Sequence, residues 1–341
     1  MTTRVLIIDD SPTMRAILTA RLSKESDISV VGTAADAAEG RQLIKQLDPD
    51  VVTLDIEMPG MNGLDFLEKI MTLRPTPVII VSGATQAGNE ISARALALGA
   101  VDCYSKSDHG SGMALDDEGR LAALVRQAAQ VRFDNRTAAA KTATPQVQFA
   151  ADSDTQLIAI GSSTGGVEAL QAVLSRFPEN CPPTVIVQHV NPRFAAAIAK
   201  TLDLASPANV QLAEHGMPMR PGTVYLAPGG ERHLAISGSA QFNTRLVPGD
   251  PVSGHRPSVD VLFQSVAETA GRHAVGILLT GMGSDGARGL LAMAQAGAHT
   301  IAQDQATCTV FGMPKAAISL GAAGVVSPLE LIAQHALKKA A

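Results

Sequence analysis

Runs of three to five residues, mostly apolar, recur along this chain, and apolar residues then return every three or four positions. Such a run suits a strand and is too short for a helix, and an unbroken one is buried on both faces. Strands of that kind pair in parallel, and parallel pairing requires a crossover, usually a helix. Within residues 4–106 the runs are Val5–Ile8, Val30–Gly32, Val51–Leu54, Val78–Val81 and Ala100–Tyr104. Met14, Ile17, Leu18 and Leu22 mark one intervening helix; Leu121, Leu124, Val125, Ala128 and Val131 mark a closing one.

After Phe133 the pattern stops. Residues 134–154 are rich in Ala, Thr, Asp and Gln and hold no sustained period, as in a linker. Alternation resumes with Leu157–Ile160, a helix after Gly166, the strand Thr184–Val187 and a helix after Pro192. A section rich in Pro and Gly, Met217 to Asp250, contains short strands at Val224–Leu226, Leu234–Ile236 and Arg245–Val247, with a hairpin among them. A βα pattern returns at Val275–Leu279. The expected class is α/β, with two doubly wound parallel-sheet domains at 1–133 and 155–341 joined by a linker at 134–154. A length of 341 residues suits two such cores.

A net charge of −5 gives no footprint for nucleic acid or an anionic membrane. With 3% aromatics and no Trp, the composition also argues against a base-stacking platform for single-stranded nucleic acid. The cysteines, Cys103, Cys181 and Cys308, are three and far apart, which fits a reducing compartment rather than a disulfide framework or a zinc site. No apolar run reaches 18 residues and no signal segment opens the chain, so the expected location is cytoplasmic, without membrane insertion.

In the first block, polar groups fall at strand ends. Asp9 and Asp10 follow the first strand, Asp55 the third, Ser82 the fourth and Lys106 the fifth. Ligands of open parallel sheets collect beyond the carboxyl ends of the strands. Three carboxylates there repel one another unless a hard cation sits among them, and Mg²⁺ prefers such oxygens. One carboxylate can then attack a phosphoryl group while the cations neutralise its charge. Ordinary polar caps would explain any one of these residues, but not the whole set.

In the second block, Leu157–Ile160 runs into Gly161-Ser162-Ser163-Thr164-Gly165-Gly166 and a helix. Such a turn can cradle a phosphate, expose a nucleophilic Ser or simply cap the helix. Neither GxGxxG nor GxxxxGK[ST] is present, which weakens the phosphate reading. His189 follows the strand Thr184–Gln188, and Thr280-Gly281-Met282-Gly283-Ser284-Asp285-Gly286 follows Val275–Leu279. A Ser, a His and an Asp beyond three parallel strands can meet: Ser163 needs a base, and His189 needs an acceptor that fixes its tautomer. The Gly-rich turn at Met282 leaves backbone N–H groups free for an oxyanion. The other seven histidines read as surface or loop residues. The likeliest exception is His255, in the polar block His255-Arg-Pro-Ser-Val-Asp260.

Residues 4–106, with LIIDDSPTMR, LDIEMPGMNGLDFL, VIIVSGAT and the Lys after the fifth strand, resemble the receiver domains of two-component signalling. That resemblance implies a flavodoxin-like fold and phosphorylation of Asp55 by a histidine kinase. It also implies Mg²⁺ held by Asp9, Asp10, Asp55 and the Glu57 carbonyl, with Ser82 and Lys106 contacting the phosphoryl oxygens. The sequence departs at two places: Cys103 occupies the usual aromatic switch position, with Tyr104 next to it, and Ser107 replaces the Pro after Lys106.

Beyond the linker, GSSTGGVEAL, VIVQHVNPRF, LAPGG, HRPSVDVLF, LLTGMGSDGA and FGMPKAA resemble the catalytic domain of chemotaxis protein-glutamate methylesterases. This implies a Rossmann-like domain with a β-hairpin insertion, acting on methyl-accepting chemoreceptors by ester hydrolysis and glutamine deamidation. Ser163, His189 and Asp285 fall on the family's triad and Met282 on its oxyanion donor, with no cofactor for the esterase. An unphosphorylated receiver covering the catalytic cleft is part of the same implication. Two other readings are a scaffold binding a nucleotide or methyl donor, and a DNA-binding regulator. The missing glycine motif opposes the first; acidity and the size of the second domain oppose the second.

Overall fold

The computed structural model describes residues 2–58, 62–83, 85–106, 119–131, 133, 155–239 and 241–337. It divides into two compact units, Met1–Ala139 and Ala140–Ala341. The linker expected at 134–154 lies outside the described residues, as do Ser107 and His109.

The first unit runs β1 (Thr3–Ile8), α1 (Pro12–Leu22), β2 (Ile28–Ala34), α2 (Ala37–Leu47), β3 (Val51–Asp55), α3 (Gly63–Leu73), β4 (Val78–Ser82), α4 (Gln86–Ala97), β5 (Asp102–Ser105) and α5 (Arg120–Ala128). Every pairing is parallel, in the order β2-β1-β3-β4-β5. Val5 to Ile8 and Val78 to Val81 are fully buried or nearly so, which explains their unbroken apolar runs. Four of the five helices start on side-chain caps: Ser11 caps α1, Asp36 caps α2, Asn62 caps α3 and Thr85 caps α4. The order reverses direction between β1 and β3, which makes that crevice the ligand position of a doubly wound sheet.

The second unit contains β6 (Leu157–Ser162), α6 (Gly166–Leu174), β7 (Thr184–Gln188), α7 (Pro192–Ala205), β8 (Asn209–Leu212) and β9 (Thr223–Leu226). There follow β10 (Arg232–Ser237), β11 (Asn243–Pro248), α8 (Val259–Thr269), β12 (Ala274–Leu278), α9 (Ala287–Gln295), β13 (His299–Gln303), α10 (Met313–Ser319), β14 (Val325–Ser327) and α11 (Leu329–Leu337). The main sheet is parallel throughout, in the order β14-β13-β12-β6-β7-β9-β8. Without the edge strand β8, this is the Rossmann order 3-2-1-4-5-6, with its switch point between β6 and β12. The antiparallel hairpin β10–β11 is separate from the sheet, and the expected strand at 224–226 belongs to the sheet as β9. Phe263, Leu262 and Val266 of α8 are fully buried in the core that this helix shares with α9 and the hairpin.

Candidate functional site

In the second unit, β6, β7 and β12 all deliver polar groups at the switch point. Ser162 and Ser163 are adjacent but differ in environment. Ser162 is fully buried and its Oγ donates to Gln188 Oε1 at 2.6 Å, whereas Ser163 is partly exposed and its hydroxyl makes no hydrogen bond among the described residues. Gln188 Nε2 donates to the carbonyls of Ser163 (2.8 Å) and His189 (3.0 Å), bracing the turns after β6 and β7 against each other. Ser163 N donates to Thr280 O at 3.0 Å, which ties the same turn to β12. Two glycines make this approach possible. Gly165 stands at φ +73°, and a Cβ on Gly281 would lie 2.7 Å from Ser163 Cβ.

The acid end of the site is built by the start of α8. Asp285 is almost fully buried. Its Oδ1 accepts from Ser258 Oγ (2.7 Å), Asp260 N (3.0 Å) and Gly286 N (3.0 Å), and its Oδ2 accepts from Val259 N (2.8 Å). The other partner of Oδ2 is His189 Nε2, at 2.8 Å. Burial pushes the Asp285 carboxyl up, but the His189 bond and charge, the Ser258 hydroxyl and the Asp260 N–H outweigh it and hold the group below the usual carboxylate range. An ionised carboxylate only accepts, so the neutral imidazole carries its proton on Nε2 and its lone pair on Nδ1. That Nδ1 is buried and has no hydrogen-bond partner among the described residues. The N–H of Met282 likewise has no acceptor among the described residues, in the turn whose Gly281 N donates to Val310 O.

The structure thus brings together Ser163, His189, Asp285 and the Met282 backbone from three loops at one sheet end, Met282 and Asp285 sharing the loop after β12. It also corrects the reading of the histidines. His233 is buried in β10, with Nδ1 accepting from Ser258 N at 3.1 Å and Nε2 lying 3.0 Å from Asp250 O. Alternation gives no signal for this, because His233 falls on the face opposite the core residues Leu234 and Ile236 while β10 is buried on both faces at its centre. His255 stacks on His189, with ring centroids 3.7 Å apart and planes at 6°.

In the first unit, Asp9, Asp10 and Asp55 converge at the β1/β3 crevice, with one carboxylate oxygen from each within 4.8 Å of the other two. Lys106 Nζ lies 2.6 Å from Asp55 Oδ2 and 3.0 Å from Asp9 Oδ2. Glu57 N donates to Asp55 Oδ1 at 3.1 Å, and the buried Ser82 hydroxyl has no partner among the described residues. Burial raises the Asp9 carboxyl despite Lys106, and its Oδ2 accepts no well-directed hydrogen bond. Three crowded hard oxygens, one of them buried and unsatisfied, fit a small divalent cation. On β5, Cys103 Sγ lies 3.8 Å from Ser92 O of α4, while the buried Tyr104 on the opposite face takes a short hydrogen bond from Arg21 of α1. Strand alternation therefore keeps the nearest aromatic away from the switch position.

Comparison with known proteins agrees with both halves. Residues 158–336 match the model of the CheB methylesterase family, and residues 5–111 match the response regulator receiver domain. The chain belongs to the CheB methylesterase family. Protein-glutamate methylesterase/protein-glutamine glutaminase 1 of Caulobacter vibrioides is 55% identical across 94% of this chain and 92% of its own length. The Rhizobium etli protein of the same activity name is 54% identical, across 98% and 96% respectively. The crystal structure of the Thermotoga maritima CheB methylesterase catalytic domain covers 54% of this chain and 97% of its own, with 37% identity and a TM-score of 0.52. Among the described residues no helix is long and apolar enough to cross a membrane.

Proposed function

We propose that this chain hydrolyses glutamate γ-methyl esters on chemoreceptors, and deamidates receptor glutamines, under the control of phosphorylation at Asp55. The observation that carries the esterase reading is a buried His189 Nδ1, unpartnered among the described residues, whose ring is bonded through Nε2 to an ionised Asp285 held by four further donors. Nδ1 takes the Ser163 proton as the hydroxyl attacks the ester carbonyl, and Met282 N–H meets the developing oxyanion. His189, now charged and paired with Asp285, returns the proton to the departing methoxide, so methanol leaves and an acyl-Ser163 remains. Water, activated by the same Nδ1, releases the glutamate. With ammonia as leaving group the same cycle deamidates glutamine. The ring nitrogens are used in the opposite sense to the serine-protease template, because here Nε2 faces the Asp.

In the receiver, Asp55 is the phosphoacceptor, a histidine kinase is the donor, and Lys106 and Ser82 wait for the phosphoryl oxygens. Asp9, Asp10, Asp55 and the Glu57 carbonyl would hold Mg²⁺, which neutralises charge on the transferring group when bound. The domain division at 1–133, 134–154 and 155–341, and cytoplasmic action, belong to this reading. The test is methanol release from methylated receptor membranes with and without a small-molecule phosphodonor. Release stimulated by the donor is expected. A scaffold that only binds would release none.

A further inference from the structure

The mechanism above leaves one aromatic contact unused. His255 lies face to face with the proposed base at a centroid distance of 3.7 Å, and its own ring makes no hydrogen bond among the described residues. Imidazoles do not hold such a stack strongly by themselves, since eclipsed faces are not the preferred arrangement of aromatic rings. The backbone imposes it. Val252 and His255 exchange both N–H···O bonds, each 3.0 Å, across Ser253 (φ 53°) and Gly254 (φ 80°), a tight two-residue turn. Three residues later Ser258 caps α8 and donates to Asp285.

One short segment, residues 252–260, therefore supports His189 twice. Its helix start fixes Asp285, which holds the Nε2 edge, and its turn presses His255 against one ring face. Rotation of the His189 ring would break the Asp285 bond and meet the His255 plane. Taking the triad reading as its basis, we propose that His255 is a positioning residue, a flat uncharged plate that fixes the His189 ring with Nδ1 directed at Ser163.

The role requires His255 to stay neutral, because a second cation beside the imidazolium formed in each turnover would oppose it. Burial, and then His189, lower the His255 pKa to about 4; Asp285 acts the other way and is outweighed. The neutral ring face can instead stabilise the transient cation.

The test uses the full chain with phosphodonor on methylated receptor membranes, comparing His255→Ala, His255→Gln and His255→Phe. Misplacing a reacting group by about 1 Å can cost about 10²-fold, so Ala and Gln should lower kcat by roughly 10–100-fold with KM within about twofold. Phe keeps a flat uncharged ring and should restore kcat to within about fivefold of the unmodified protein. If Ala fails to fold, the Gln and Phe pair carries the comparison. Unchanged kcat in Gln, or an equal loss in Phe and Gln, would overturn the proposal. Ser163→Ala run alongside keeps the two failures apart: activity surviving that change sinks the triad, whereas its loss beside an unaffected His255→Gln sinks only the positioning role.

Discussion

At the residue scale, neighbouring serines carry different burdens. Removing the Ser162 hydroxyl leaves Gln188 Oε1 buried and unmatched, a cost of about 1–3 kcal/mol, with the brace between the β6 and β7 turns loosened but the reactive groups retained. Ser162→Ala is expected to melt earlier yet keep most of its turnover, read by thermal denaturation beside methanol release. His255 gives a pH signature. Its folded pKa of about 4 lies below the ordinary 6.5, so the unfolded chain binds the proton more readily between those values. Stability is then full above about pH 6.5 and falls as pH drops towards 4, by about 1–2 kcal/mol after allowance for partial exposure. Denaturant titrations of His255→Phe should show a flatter slope across that window. Sequence placed the Ser, His and Asp correctly at strand ends because burial and alternation are local. It could not show that Ser162 turns inward to Gln188, nor that His255 reaches His189, since both depend on loops that meet only in the folded sheet.

At the element scale, the start of α8 matters more than its length. Ser258 N–H, Ser258 Oγ, Val259 N–H and Asp260 N–H are all spent on His233 or Asp285, so this helix terminus serves the site as well as the core. Gly161 permits the approach: a Cβ there would lie 2.2 Å from Val259 Cγ1. Gly161→Ala must displace α8 or β6, and a kcat loss of at least about tenfold is expected, visible even where the melting curve still shows a cooperative fold. The polar block 255–260 was legible as unusual in the sequence, and so was the hairpin. The edge strands β8 and β14 carry little sequence signal, because Asn209–Leu212 is half exposed and Val325–Ser327 spans only three residues. Their strand character comes from the parallel neighbours they pair with. By contrast, β13 is a mostly buried strand of five residues that the sequence reading leaves unnamed.

At the scale of the whole molecule, the chain has two doubly wound sheets, each with its polar groups at its own switch point. Phosphorylation of Asp55 is the proposed coupling between them. Asp55→Asn should abolish the response of methanol release to phosphodonor while leaving basal turnover. Chelation by EDTA should do the same, since among the described residues the Asp9, Asp10 and Asp55 cluster is the one that calls for a cation. If the receiver restrains the catalytic unit, a chain starting near Thr155 should exceed the unphosphorylated full chain in activity. The relay itself must differ from one that rotates an aromatic at the switch position, because Cys103 stands there and Tyr104 is held on the other face by Arg21.

The most direct measurement is methanol release from methylated receptor membranes by the unmodified chain and by Ser163→Ala, both with phosphodonor. A nucleophilic Ser163 predicts a loss of several orders of magnitude, down to the roughly 10³–10⁴-fold over water that binding and the oxyanion donor provide without a triad. Release at the unmodified rate from Ser163→Ala would contradict the account.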